Sequence, residues 1–359
     1  NYIISLGELC QWISEKAMEL GVDIFPGFPA QKYLTDESGR VIGIATGDMG
    51  IDKEGNHKGT YTPGMDILAK QTIFAEGARG HLGKKLIKAF NLDEGKTPQH
   101  FAIGFKEVWE VDNDKHSPGD VVHTMGWPLK GGTSGGGFLY HFDNNRIAVG
   151  LIVDLNYSNP SHSPFQEFQQ FKQHPSIKQY LESGKRVSYG ARAITKGGIN
   201  SLVKMEFDGG MIVGCDAGTL NPSKIKGSHC ALQSGILAAE YINKVLSEEN
   251  CDFDDLFKSS ALFKELYESR NFSAAMHKFG FYLGATYNFI ESNIFRNKLP
   301  FTIKDENRDC DSLSLSKSSP IKEYPAPDNV LSFDITSSLF LSGTNHEEDQ
   351  PVHLNLTDA

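Results

Sequence analysis

The sequence predicts an α/β scaffold interrupted by an α+β insertion, and three observations carry that reading. Two short apolar runs, Lys70–Ala75 and Met211–Val213, each stop at a glycine, as strands do where the chain must turn sharply. Between them, residues 101–155 alternate aromatic and β-branched runs with Gly and Pro turns, the pattern of a largely antiparallel sheet. Stretches with helical spacing flank both, so helices and strands are mixed along the chain.

The elements follow in order. Leu6, Leu9, Ile13 and Ala17 recur at helical spacing, and Gly21 supplies a stop. Val22–Phe25 reads as a strand ended by Pro26-Gly27. Lys32–Thr35 and Val41–Thr46 read as a hairpin about the turn Asp36-Glu-Ser-Gly39, and the polar, Gly-rich residues 47–64 read as a surface loop. After the 101–155 sheet, 164–183 is helical and polar. Leu202–Phe207, the turn Asp208-Gly-Gly210 and Met211–Val213 form a strand-turn-strand. A helix over 227–246 places Leu232, Ile236, Ala239, Ile242 and Leu246 on its apolar side. Residues 259–300 are helical and aromatic-rich, and 305–330, rich in Ser, Asp and Pro, read as a linker or long loop. No internal repeat is visible.

Composition narrows the function. The 359 residues, 39% apolar and 22% charged, suffice for two or three domains. A net charge of −10 argues against a nucleic-acid binder and leaves a membrane surface open. Cys10, Cys215, Cys230, Cys251 and Cys310 show no C-x-x-C spacing, and are expected to be mostly buried or inert thiols in a reducing compartment. No signal peptide and no run of about 18 apolar residues occurs. The first residue is Asn1, which suggests a fragment or a processed chain.

The chemistry concentrates at the two glycine-ended strands. In Met211-Ile-Val-Gly-Cys-Asp-Ala-Gly218 a glycine would let a dinucleotide approach the backbone, and Asp216 would accept from a sugar-like hydroxyl. The following helix would turn its positive end toward a reduced flavin, with Lys224 and Lys226 adding charge. Alone, the segment reads more readily as a plain strand-to-helix turn with an Asp N-cap. Ile73-Phe-Ala-Glu-Gly-Ala-Arg-Gly80 repeats the theme, although Arg79 on its own reads as a solvated surface residue. Together the segments resemble the second and third cofactor motifs of glutathione-reductase-type flavoproteins. By that resemblance Gly77, Arg79, Gly214, Asp216, Gly218, Lys226 and Gly227 are the cofactor-binding candidates for FAD, with Asp216 on the ribityl chain. These flavoproteins carry Asp where Glu76 stands. The G-x-G-x-x-G fingerprint occurs nowhere, so the scaffold is expected to be incomplete at its N-terminus.

Longer motifs define the family. Gly43-Ile-Ala-Thr-Gly-Asp-Met-Gly-Ile51, Thr124-Met-Gly-Trp-Pro-Leu129, Tyr189-Gly-Ala-Arg-Ala193, Lys224-Ile-Lys-Gly-Ser-His229 and Ser342-Gly-Thr-Asn-His-Glu-Glu-Asp-Gln-Pro351 resemble segments of the electron-transfer flavoprotein:ubiquinone oxidoreductases, in order along the whole chain. The resemblance implies a glutathione-reductase-type FAD scaffold plus an antiparallel quinone and membrane domain. Electrons would come from electron-transfer flavoprotein, pass through a 4Fe-4S cluster and FAD, and reduce ubiquinone. It implies FAD-binding parts at 1–90 and 199–255, a ubiquinone-binding, membrane-associated domain at 91–198 and 256–300, and a tail at 301–359 leading to an iron–sulfur domain outside this chain. The chain alone is therefore not expected to be fully active. The family's glycine pair at the quinone headgroup matches Gly197 and Gly198, which otherwise read as a turn.

Phe279, Phe281, Tyr282, Leu283, Tyr287 and Phe289 lie in an uncharged run flanked by Lys278, Arg296 and Lys298. That run fits either a buried core helix or a monotopic helix in the lipid interface, and the resemblance implies the latter. The membrane would be a bacterial cytoplasmic membrane or the mitochondrial inner membrane on its matrix side. A hydrolase elbow at Gly132-Thr-Ser134-Gly-Gly136 needs a helix to follow, whereas Phe138–Phe142 looks like a strand. His346-Glu-Glu-Asp349 reads as a polar loop rather than a metal site. A geranylgeranyl-reductase-like flavoprotein and an inactive product of a split gene complete the alternatives.

Overall fold

The computed structural model describes residues 3–130 and 132–352. The chain divides into two compact units.

The smaller unit comprises residues 4–72, 208–210 and the tail from 343. Its helix α1 (Leu6–Glu19) is capped by Ser5, whose Oγ accepts from the Glu8 amide, and ends just before Gly21 at φ 85°. Strands β1 (Ala30–Thr35) and β2 (Val41–Thr46) form the expected antiparallel hairpin, joined by β5 (Asp66–Leu68). Two expectations fail here. Val22–Phe25 forms no strand: the Val22 amide bonds back to Ala17 O at the end of α1, and Val22, Ile24 and Phe25 stay exposed. Residues 47–64 contain a second hairpin, β3 (Met49–Ile51) and β4 (His57–Thr62). Its turn is built by Asp52, whose Oδ1 accepts from the Glu54 and Asn56 amides.

The larger unit holds most of the chain. Strand β6 (Thr72–Phe74) and helix α2 (Gly83–Ala89) lead into β7 (Phe101–Glu110), β8 (Val121–Met125), β9 (Gly135–Phe142) and β10 (Arg146–Asp154). Helices α3 (Pro164–Lys172) and α4 (Pro175–Leu181) precede β11 (Lys185–Thr195). Strands β7 to β11 make one five-stranded antiparallel sheet in the order β11–β7–β10–β9–β8. Alternation in β7 turns Phe105, Glu107 and Trp109 inward. The apolar faces of α3 and α4 supply Phe165, Phe168, Phe171, Ile177 and Leu181 to the same core. Gly137 is glycine because a Cβ there would fall 2.2 Å from the Phe171 ring.

Short strands β12 (Glu206–Phe207) and β13 (Gly210–Ile212) lead to a single helical turn, α5 (Gly214–Ala217), and then to α6 (Ser228–Leu246). The seated face of α6 is its small one, Cys230, Ser234 and Ala238, because the backbone at Gly214 comes close to it. Leu232, Ile236 and Leu246 are exposed, so the apolar side expected from the sequence is not the buried side. Helices α7 (Phe253–Ser259), α8 (Ala261–Glu268), α9 (Phe272–Asn293) and α10 (Ile335–Phe340) complete the unit.

The long helix α9 breaks at Gly280 (φ 72°, ψ 179°) into two segments. They fold back on each other, with the Gly284 Cα face against the backbone of Ala275 and Met276 and Asn288 Nδ2 donating to Phe272 O. The aromatic run is therefore a helical hairpin rather than one straight helix. The segment 305–330 lacks regular strands and α-helices, as its composition predicts, yet it is held down by Asp305, Asp309, Lys322 and Tyr324.

Candidate functional site

The two glycine-ended strands meet. The Gly80 amide donates to Asp216 Oδ1 at 3.2 Å, and Glu76 Oε2 accepts from the Leu82 and Gly83 amides at 2.8 Å each. Residues 76–83 thus wrap the Asp216 carboxylate so tightly that a Cβ at Gly83 would lie 2.3 Å from Oδ1. Asp216 is buried, and its Oδ2 has no hydrogen-bond partner. Burial, then the nearby Glu76, push its carboxyl up to about 6. Gly77 takes φ 87°, and the space a Cβ would occupy there is open. Gly214 takes φ 66°, and its amide donates to Ser234 Oγ.

Asp216 is not the N-cap of a long helix. It sits inside α5, which Gly218 ends at φ 100°, and α6 begins only at Ser228, after Gly227. Arg79 is exposed, with its guanidinium 5.6 Å from the Phe101 ring centroid. Lys226 reaches away to β9, where its Nζ is 3.3 Å from Tyr140 Oη. Lys224 pairs with Glu265.

Gly197 and Gly198 open a short 3-10 turn after β11, with Gly198 buried at φ 63°. The residue that joins them to the Asp216 region is Gln99. Its Oε1 accepts from the Gly197 amide at 2.7 Å, and its Nε2 fills the space beside Gly218, 2.5 Å from where a Cβ would stand. Nothing in the sequence marks Gln99, since a lone glutamine has no spacing signature. The preceding Lys196 carries a second feature unseen in the sequence. Its Nζ binds both oxygens of Asp154 at 2.7 Å, within a set that includes His277, Asp305, His100 and Asp309.

The α9 hairpin presents its aromatic residues outward. Tyr282 is 83% exposed, Leu283 69% and Phe289 66%, with Phe279 and Phe281 also exposed and Tyr287 half-buried. In this structure the run is exposed rather than buried. Among the described residues no helix is long and apolar enough to cross a membrane.

Ser134 precedes β9 directly, so no strand-elbow-helix holds it. The five cysteines are unpaired. Burial pushes the Cys215 thiol up and Cys230 to about 11, which makes both inert, whereas Cys10 and Cys310 are exposed against expectation. Glu347 and Asp349 of the tail pair with Lys58. Ligand-type atoms of His229, Cys230 and Glu265, and of His100, His277 and Asp305, gather within 4.8 Å. Each set is already joined by a 2.8 Å imidazole–carboxylate hydrogen bond, Lys224 pairs with Glu265 in the first, and Asp154, held by Lys196, lies 3.9 Å from His277 in the second, which suits an ion-pair network better than a metal.

Comparison with known proteins adds the family. The chain is 58% identical to the electron transfer flavoprotein-ubiquinone oxidoreductase of Pseudomonas aeruginosa, with all of this chain and 66% of that protein aligned. It is 50% identical to the probable enzyme of that name in Acinetobacter baylyi, covering all of this chain and 67% of that one. The chain belongs to the electron transfer flavoprotein-ubiquinone oxidoreductase family. Against the mitochondrial member of Sus scrofa the identity is 47%, over all of this chain and 60% of that protein. The chain thus spans roughly three fifths to two thirds of the length of these family members. A family model described as ETF-QO, ubiquinone-binding matches residues 101–194, which include the whole antiparallel sheet but for the last residue of β11. A second, the 4Fe-4S part of the electron transfer flavoprotein-ubiquinone oxidoreductases, matches 329–359. Among solved structures, a geranylgeranyl bacteriochlorophyll reductase-like protein from Thermoplasma acidophilum shares the fold at TM-score 0.54 and 18% identity, over 72% of this chain and 59% of that one. A flavoprotein/dehydrogenase from Cytophaga hutchinsonii does so at TM-score 0.51 and 16% identity, over 77% and 63%.

Proposed function

We propose that this chain serves the activity its relatives are named for, oxidising reduced electron transfer flavoprotein and passing the electrons to ubiquinone. The observation that carries the reading is the meeting of Gly80 with Asp216, bridged through Gln99 to Gly197 and Gly198. One carboxylate with an unsatisfied buried oxygen is thus linked, through Gly218 and Gln99, to the Gly197-Gly198 turn.

FAD fits the first half. Asp216 Oδ2 is a buried acceptor without a donor, and a ribityl hydroxyl is a donor. Gly77 leaves open backbone where a dinucleotide would approach, and Gly214, packed on Ala231, takes the positive φ its turn requires. Bound there, a flavin would supply the two-electron redox centre between the electron donor and the quinone. The protein's part is to hold it, with Asp216 as acceptor and Gly77, Arg79, Gly214, Gly218 and Gly227 along its path. Lys226, seated on Tyr140, contributes positive charge at longer range. The FAD-binding portion is 1–90 with 199–255, and the quinone portion is 91–198 with 256–300. No cysteine falls in 329–359, so these residues give no thiolate to a 4Fe-4S cluster.

A planar quinone ring would meet the Gly197-Gly198 turn at backbone that carries no side chain of its own, beside Ser201, Gln99 and Pro222. The exposed aromatic hairpin, flanked by Lys278, Arg296 and Lys298, suits a monotopic seat in a lipid surface, where a long-tailed quinone resides. The test is electron transfer from reduced electron transfer flavoprotein to a short-chain ubiquinone by the intact protein. Gly198→Val should keep the flavin spectrum and lose quinone reduction. Undiminished quinone turnover in that variant contradicts the assignment.

A further inference from the structure

Reducing a quinone to its quinol adds two electrons and two protons, and the protons must reach the carbonyl oxygens from water. Beside the α9 hairpin lies a cavity of about 700 Å³ lined by His277, Phe279, Tyr287, Phe301 and Asp305, with Lys278, Lys304 and Glu306 also on its wall. Its aromatic side is the inner edge of the exposed hairpin. His277 stands where this cavity meets a buried charge network. Its Nδ1 is 2.8 Å from Asp305 Oδ2, and its Nε2 is 3.9 Å from Asp154 Oδ2. Lys196 Nζ holds the same Asp154, and Ser273 Oγ, one helical turn before His277, donates to Lys196 O. The residue after Lys196 is Gly197, so helix α9, Asp154 and the glycine turn form one connected structure. Behind Asp305, His100 is fixed by Asp309 at 2.8 Å.

Charge balance singles out His277. Lys196 pairs with Asp154 alone, and the ion-pair partners of Asp305 and Asp309 are the imidazoles of His100 and His277, so the network lacks positive charge unless an imidazole is protonated. Lys196 is locked on both Asp154 oxygens, and His100 is sealed behind Asp305 at 5% exposure. Only His277 both lines the cavity and touches two carboxylates.

We propose that His277 is the proton donor to a quinone whose ring enters this cavity, a reading that rests on the quinone assignment of the Gly197-Gly198 turn, which lies outside the cavity lining and is joined to it through Lys196 and Ser273. The Nδ1–H stays on Asp305, and the loosely held Nε2–H is the proton given up. Each quinone takes two electrons from the reduced flavin and two protons in succession, the neutral imidazole regaining its proton from water in the cavity after each. Both carbonyl oxygens become hydroxyls, and the flavin is reoxidised. Burial opposes the imidazolium, but Asp154 and Asp305 outweigh it and hold His277 above the ordinary histidine range. Asp305 is thereby a positioning residue: it fixes the ring and keeps it charged.

The test uses the intact, flavin-loaded protein with a short-chain ubiquinone, following binding by flavin-independent fluorescence quenching and reduction across pH 5.5 to 9. Wild type should lose rate as pH rises and His277 deprotonates. His277→Gln should bind the quinone within about threefold of wild type and reduce it on the order of 100-fold more slowly, with that alkaline limb gone. Asp305→Asn should keep the limb but move it to lower pH, a shift that a purely structural role would not give. It also serves if His277→Gln fails to fold. Unchanged rate and pH profile in both variants overturn the role of His277 while leaving the quinone reading intact. Failure of wild type to bind or reduce the quinone overturns that reading itself.

Discussion

Two buried ionic clusters stand on the same sheet, and their difference separates a structural charge from a working one. In the first, Glu107 is fully buried on β7 and accepts from Lys172 at 2.8 Å, Arg186 at 3.1 Å and Trp109 Nε1 at 2.9 Å. Arg186 also donates to Ser338 Oγ and lies 3.7 Å above the Phe333 ring. Every charge faces a partner inside an apolar shell. Burial, partly offset by Glu107, lowers Lys172 to about 8. In the second, His277 and Asp305 line a cavity, Asp154 and Lys196 stand behind them, and the imidazole has a loosely held nitrogen. A sealed cluster fixes the fold, whereas one that opens on a cavity keeps a proton within reach of a ligand.

The sharpest way to break this contrast is to remove the centre of the sealed cluster. Glu107→Leu leaves Lys172 and Arg186 as uncompensated buried cations and should cost about 3–5 kcal/mol. Urea unfolding would read it, and an unmoved midpoint would contradict the sealed description. Next comes the hairpin. Phe281→Asp with Leu283→Asp removes two exposed apolar anchors, each worth at least about 1.5 kcal/mol when buried in lipid, so liposome affinity should fall on the order of 100-fold. Unaltered co-sedimentation would show that another surface carries the protein to the bilayer.

Smaller effects follow from pH. The Asp216 carboxyl is raised to about 6, so folding favours its neutral form. The stability it contributes is fully present below the ordinary carboxylate pKa and is lost as pH rises through about 6. A hydroxyl donating to Oδ2 favours the ionised form, so flavin affinity should rise through the same window. Flavin retention that is flat between pH 4.5 and 7.5 would contradict this, and gel filtration with absorbance would read it. The open cluster has the opposite sense. Asp154, whose burial is outweighed by Lys196 and His277, is lowered to about 2, so its contribution is present above pH 3.8 and lost as pH falls through 2.

Much of this was legible in the residues. The helix before Gly21, the β1–β2 hairpin and the antiparallel character of 101–155 follow from periodicity and turn chemistry, and the strand ends at Gly77 and Gly214 carry a recognisable glycine logic. What escaped depends on long-range partners. The β3–β4 hairpin hides in a polar stretch because its turn is made by one side chain, Asp52. Val22–Phe25 has strand composition but no neighbouring strand. The stripe Leu232, Ile236 and Leu246 has the right spacing, yet helix α6 buries its small face instead. Gln99 and the Asp154–His277–Asp305 set join residues far apart in sequence, so no local pattern announces them.

The central claim is that Asp216 offers its unpaired oxygen to a flavin. Flavin content of the intact protein after Asp216→Ala, read from the absorbance of the purified protein alongside a circular-dichroism check of folding, tests it most directly. A folded variant that has lost its flavin spectrum is the predicted result. A folded variant with undiminished flavin would contradict the account.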